Sequence, residues 1–163
     1  MPSKFTSRTP WREKLEKPKV QLPKIVRVPP MWQKRFGKGT MAIAHPLDVD
    51  ALIRKVRKGK LVTQTQLRQR LARKYKVDHA CPLTTGIFVR IAAEAAEEDR
   101  RGGKSRITPY WRVVRDDGGL NEKFPGGPPA QARRLRSEGF SIAVGKGMKP
   151  PRVKDFQTFL ARL

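Results

Sequence analysis

The chain has 163 residues with 37 Lys and Arg against 14 Asp and Glu, a formal charge of +23; this length suits one domain of ordinary size plus an arm and leaves two full domains cramped. The charge calls for a polyanionic partner, because each cation set beside a phosphate releases a condensed counterion, and nucleic acid is expected over an anionic membrane, since no basic stretch carries bulky apolar residues along an opposite helical face. No run approaches the roughly 20 apolar residues of a membrane span, and Met1-Pro2-Ser3-Lys4 lacks the apolar stretch of a secretory signal, so a cytoplasmic location, nucleoid-associated in a bacterium, is expected.

Residues 1–40 hold eleven Lys and Arg against Glu13 and Glu16, with Pro2, Pro10, Pro18, Pro23, Pro29 and Pro30 breaking any helical period, which predicts an extended basic arm over residues 1–45. Phe5, Trp11, Trp32 and Phe36 leave two readings open: a strap partly docked on the domain, or an arm that follows a phosphate backbone. Order is expected from Pro46, where Asp48 can cap a helix with Val49, Leu52, Ile53 and Val56 inward and Gly59 at its end. Thr63 and Gln66 have the spacing of a capping box, which predicts a second helix to about Tyr75 with Leu67 and Leu71 inward. From Arg54 to Lys76 there are ten Lys and Arg and no acid, so one face there is a candidate phosphate face.

A third helix is predicted from a Thr84 or Thr85 cap to about Glu98, with Ile87, Phe88, Ile91, Ala92 and Ala95 as its apolar stripe. The run 107–114 reads as a strand or extended segment that ends in the turn Asp116-Asp117-Gly118-Gly119. A helix from about Ala130 closes at Glu138-Gly139 with Ala132 and Leu135 inward. Phe140, Ile142 and Val144 alternate toward a bend at Gly145-Lys146-Gly147, and Asp155 can cap a last helix bearing Phe156, Phe159, Leu160 and Leu163. The expected architecture is mainly α with a small β element, a winged-helix (helix-turn-helix) domain over residues 46–163 preceded by the arm.

Residues 46 to about 140 resemble the DNA-binding domain of alkylguanine-DNA alkyltransferases, and in particular the cysteine-lacking alkyltransferase-like proteins. The resemblance rests on Thr108-Pro109-Tyr110-Trp111-Arg112-Val113-Val114, Asp117-Gly118, Gly126-Gly127, Leu135 and Glu138-Gly139, whose order and spacing match a Pro-Cys-His-Arg-Val core, a turn, a Gly-rich loop over a base pocket and a helix ending in Glu-Gly. Gly59-Lys60-Leu61-Val62-Thr63 is similar to the segment that opens the family's helix-turn-helix. The family reaction moves an alkyl group from a flipped guanine to a thiolate that His, water and Glu help to deprotonate. Here Tyr110 stands at the cysteine position and Trp111 at the histidine position. A phenol that titrates near about 10 and an indole N–H supply neither nucleophile nor base, so no transfer is expected, although Arg112 and Glu138 match family positions.

The resemblance therefore implies a non-catalytic binder of double-stranded DNA that holds alkylated guanine for other repair factors. By the same likeness, Thr63, Gln64, Arg68, Thr84, Thr85, Gly86, Arg90 and Arg112 are the candidate DNA contacts, and Tyr110, Trp111, Phe124, Gly126 and Gly127 the candidate base pocket. Gln64 replaces a family tyrosine, and Phe124-Pro125 replaces a Tyr-Ser pair. A second reading is a general DNA- or RNA-binding module whose pocket is vestigial. A third uses Cys81, the lone thiol, as alkyl acceptor, against which stands its reading as a small buried packing residue. With His45 and His79 as its sole companions, Cys81 cannot build a metal cluster, and no metal or cofactor is expected.

Overall fold

The computed structural model describes residues 7–163, so Phe5 lies outside the described residues. At its centre runs α5 (Pro82–Arg101), 20 residues long, about 30 Å at 1.5 Å per residue. Ala92, Ala93, Ala95 and Ala96 are fully buried on it. Such small side chains let neighbouring elements approach closely, and α1 (Trp11–Glu16), α3 (Pro46–Arg54) and α4 (Gln64–Tyr75) all pack against it. Ile87 belongs to the stripe expected from sequence but is 47% exposed. The buried face is instead set by Thr85, Val89 and the alanines, because broad apolar patterning on a central helix does not fix which side each neighbour covers.

Residues 11–45 do not form an extended arm. They contain α1, the strand β1 (Lys24–Arg27), the helix α2 (Pro30–Phe36) and the strand β2 (Thr40–Ile43). The prolines that interrupt the helical period delimit these short elements instead; Pro30 opens α2 at its first position, where the missing N–H costs nothing. β2 pairs antiparallel with β1 and parallel with β4 (His79–Ala80), in the order β1-β2-β4. Leu15 is fully buried in the main core. Glu98 of α5 accepts from the backbone N–H of Trp11 at 2.9 Å and of Arg12 at 3.1 Å, so a carboxylate neutralises the N-terminal end of α1.

The capping box forms as expected: Thr63 accepts from the Gln66 N–H, Gln66 returns the bond to the Thr63 N–H, and α4 ends at Tyr75 with Leu67 and Leu71 buried. The helix before it departs from expectation at both ends. His45 caps α3 by accepting from the Leu47 N–H at 3.1 Å, which leaves Asp48 inside the first turn, bonded to Lys74 and Tyr75. The helix closes at Arg54 through tight turns at Lys55 and Val56, short of Gly59.

The segment 107–114 is a 3₁₀ turn over Tyr110–Arg112 followed by β5 (Val113–Val114), parallel to β3 (Val62–Thr63). The helix α6 (Gly127–Ser137) follows the Gly-rich loop with Ala132 and Leu135 inward. Short strands β6 (Ile142–Ala143) and β7 (Arg152–Val153) form the hairpin, although Val144 points outward, 89% exposed. The last helix is reduced to a 3₁₀ turn over Phe156–Phe159. Asp155 there is left-handed, with φ of 53°, and caps nothing with its side chain. The chain then extends so that Leu61 and Leu160 bridge and the Ala161 N–H reaches the Leu61 carbonyl, a cross-chain pairing that α-helical backbone could not make.

Candidate nucleic-acid interface and base cavity

Tyr110 and Trp111, which the sequence resemblance sets at a nucleophile and its base, are buried and hydrogen-bonded. Tyr110 is 2% exposed, and its hydroxyl donates to Glu97 Oε1 at 2.7 Å. Burial, then the bond and charge of Glu97, push its pKa up, so the phenol stays protonated at neutral pH. Trp111 Nε1 donates to Glu138 Oε2 at 2.7 Å, and Arg112 grips the same carboxylate through Nε at 2.9 Å and Nη2 at 3.0 Å. Arg112 Nη1 also donates to the Val56 carbonyl just beyond α3, joining that helix end to the site. Gln131, fully inside, donates to the carbonyls of Trp111 and Val113 and fixes the backbone between them.

Burial opposes the ionisation of Glu97 and Glu138. It is outweighed by bonds from Arg100, Tyr110 and Arg134 at the first and from Arg112 and Trp111 at the second, so both carboxyls sit below the usual range. The unfolded chain takes up these protons near about pH 4.3. Stability from both groups is therefore fully present above that value and is lost as pH falls through the lower folded values. Melting temperature should hold level from pH 7 to about 5 and drop below about 4. A Glu97→Gln/Glu138→Gln variant should show a shallower acid drop; an equal drop would remove these carboxylates as the cause.

Of the five residues expected to line a base pocket, Tyr110 and Gly126 border one cavity, while the three aromatics also pack on one another. Tyr110 meets Trp111 edge-on at 5.4 Å and Phe124 at 5.3 Å, and the Arg134 guanidinium covers the Trp111 ring at 4.3 Å. The open space beside Tyr110 is a cavity of about 300 Å³ lined by Glu97, Arg100, Tyr110, Pro125, Gly126, Ala130, Arg133 and Arg134. Trp111, Phe124 and Gly127 are thus outside its lining, and stacking between aromatic faces gives way to an arginine-rimmed wall. Gly126, with φ of +76°, forms part of that wall; a Cβ there would lie 2.6 Å from the Ala130 Cβ. Glu97, Arg100, Arg133, Arg134 and Gln131 were missed in the sequence, where the run Arg133-Arg134-Leu135-Arg136 was the one available signal.

The candidate DNA contacts separate by burial. Thr63 is spent on the α4 cap, and Thr85 is 1% exposed with its hydroxyl donating to the Cys81 carbonyl. Arg112 is committed to Glu138, and Arg90 lies 5.7 Å from the Trp11 ring centre, covered by α1. These four positions are structural rather than surface contacts. Gln64, Arg68, Thr84 and Gly86 stay half-exposed at the starts of α4 and α5. The Gln64 side chain lies over Gly86, 3.6 Å from where a Cβ would be, and Arg68 donates to Thr65 Oγ1 at 2.8 Å. Leu83 and Ile87, at 61% and 47% exposure, face outward beside them, four residues apart on one side of α5. Cys81 is buried with Val28 and Met41, which leaves its thiol without the access an acceptor needs.

No protein-family model matches the sequence, and no curated protein sequence matches it. Among solved structures, the chain is similar to S. pombe Atl1 in complex with damaged DNA containing O6-carboxymethylguanine, with 15% identity over 72% of this chain and 94% of that one and a TM-score of 0.50. The likeness in backbone course, at an identity too low to carry residue roles, means that this chain shares the fold of Atl1 over that span.

Proposed function

We propose that this protein is a non-catalytic alkyltransferase-like binder of duplex DNA that holds an alkylated guanine in the cavity beside Tyr110. The observation that carries the reading is the state of the reaction centre. A protonated, hydrogen-bonded phenol and an indole stand where a thiolate and its base would be needed, yet a cavity of about 300 Å³ remains open next to them. Binding can therefore persist where transfer cannot. Extruding a base costs a few kcal/mol, least for a damaged pair, and the guanidinium groups of Arg133 and Arg134 on the cavity rim offer donors to recover it.

In this reading α4, the turn through His79 and α5 act as the helix-turn-helix and the β6–β7 ribbon as the wing of a winged-helix domain. Leu83 and Ile87 supply apolar contact at base steps in the minor groove. Repair factors that receive the marked site are the expected protein partners, in the cytoplasm or on the nucleoid.

Competition binding at fixed salt, with duplexes that differ in one O6-alkylguanine, tests the proposal. The alkylated duplex should compete at least about tenfold better, from the lower extrusion cost of a damaged pair. No alkyl mass should appear on the protein. Equal affinities would leave a general nucleic-acid binder with a vestigial cavity.

A further inference from the structure

Residues 17–47 contain seven cations, Lys17, Lys19, Lys24, Arg27, Lys34, Arg35 and Lys38, and no acid. All seven are exposed, and none forms an ion pair among the described residues. By contrast, of the ten cations between Arg54 and Lys76, three meet carboxylates from outside that run: Arg54 with Asp50, Arg68 with Asp116 and Lys74 with Asp48. Seven like charges left unpaired on one segment raise its electrostatic cost in the free protein. A polyanion that releases its counterions on contact removes that cost.

The fold decides where these charges lie. β2 pairs with β4 in parallel, Met41 opposite His79 and Ala42 opposite Ala80, immediately before α5 begins. Thr40 donates its N–H to Asp78 at 2.9 Å, and Gly39 is pressed so closely on Asp78 that a Cβ would sit 2.4 Å from the carboxylate. Phe36 at the end of α2 lies 6.2 Å from the His79 ring. With His79, Asp78 and Ala80 it walls a groove of about 270 Å³ whose other side is Thr65, Arg68, Gln69 and Ala72 of α4. The last turn of α2 thus stands against the outer face of α4 and the turn that leads into α5. Arg35 stacks on Phe36 with 5.1 Å from guanidinium to ring centre, which holds one of the cations close to that groove.

We propose that this docked strap is a second DNA-contacting element, in which Lys34, Arg35 and Lys38 grip the phosphodiester backbone flanking the segment read by α4 and α5. The inference rests on the DNA-binding reading above and extends it from the helix pair to the strap. A folded strap pinned at Asp78 and Thr40 loses little chain freedom on binding, so its cations add contacts at lower entropic cost than a loose arm would. It also fixes on which side of the helix pair the bound duplex runs beyond the lesion.

The test is the salt dependence of affinity for an unmodified duplex, comparing the full chain with Lys34→Gln/Arg35→Gln/Lys38→Gln and with the charge-matched control Lys17→Gln/Lys19→Gln/Lys24→Gln, equally exposed cations earlier in the same segment that lead into β1, the strand away from β4. Each phosphate contact contributes about 0.9 to the slope of log affinity on log salt, so the strap variant should lose about 2 to 3 from the slope and the control much less. A strap variant whose slope matches the full chain, or falls no further than the control, overturns the proposal while leaving DNA binding intact. A full chain that ignores duplexes at low salt overturns the DNA-binding reading itself. Should the triple variant lose its native melting transition, Lys34→Gln/Lys38→Gln keeps the Arg35 and Phe36 stack and should still remove about 2 from the slope.

Discussion

Replacing Glu138 by alanine is expected to destabilise the protein by about 3–5 kcal/mol, the range for breaking a buried ion pair by removing one partner. The carboxylate accepts from Trp111 Nε1 and from two nitrogens of Arg112, with side-chain exposures of 13% for Arg112 and 7% for Glu138. Truncation strands a desolvated guanidinium and an indole N–H at once. Urea unfolding should show a lower midpoint with an unchanged slope, and Glu138→Gln, which keeps one acceptor, should fall between the two. A loss below about 1 kcal/mol would mean that solvent screens the pair as it does at a surface. The same residue that the resemblance assigns to activating a histidine therefore serves here to fix Trp111.

Leu15→Ala is expected to cost about 2–5 kcal/mol, the transfer energy of the removed methyl groups plus the cavity they leave. Leu15 is fully buried although it belongs to a stretch that composition alone would place outside the domain. Val20→Ala, at a position 64% exposed a few residues on, should stay within about 0.5 kcal/mol. Equal effects from the two would show that residues 11–16 leave the core in solution, and the strap would revert to an arm. A large loss from Leu15→Ala alone places α1 inside the cooperative unit, held by its apolar contact and by the Glu98 and Asp99 carboxylates that meet its first turn.

Local chemistry accounts for what could be read directly. The capping box at Thr63 and Gln66 and the end of α4 at Tyr75 follow from bonds within one turn of chain. The turn at Asp116-Asp117-Gly118-Gly119 closes through bonds between Arg115 and residues 118 and 119, again local. Elements whose partners come from afar leave no such signal in the local sequence. The 3₁₀ turn at Tyr110–Arg112 is held by Glu97, Glu138 and Gln131, from two helices that flank it in sequence at a distance. The end of the chain gives up its helix for a bond to Leu61, about a hundred positions earlier.

Sequence by itself determined the charge of +23 and the call for a polyanionic partner that follows from it, because these depend on which side chains exist and not on where they lie. Tertiary structure alone decided that the basic N-terminal segment is a docked strap, that Trp111 and Phe124 fill space rather than line the cavity, and that arginines from α5 and α6 rim it. Burial and long-range pairing assign such roles, and both are properties of contacts between residues far apart in the chain, which no local pattern records.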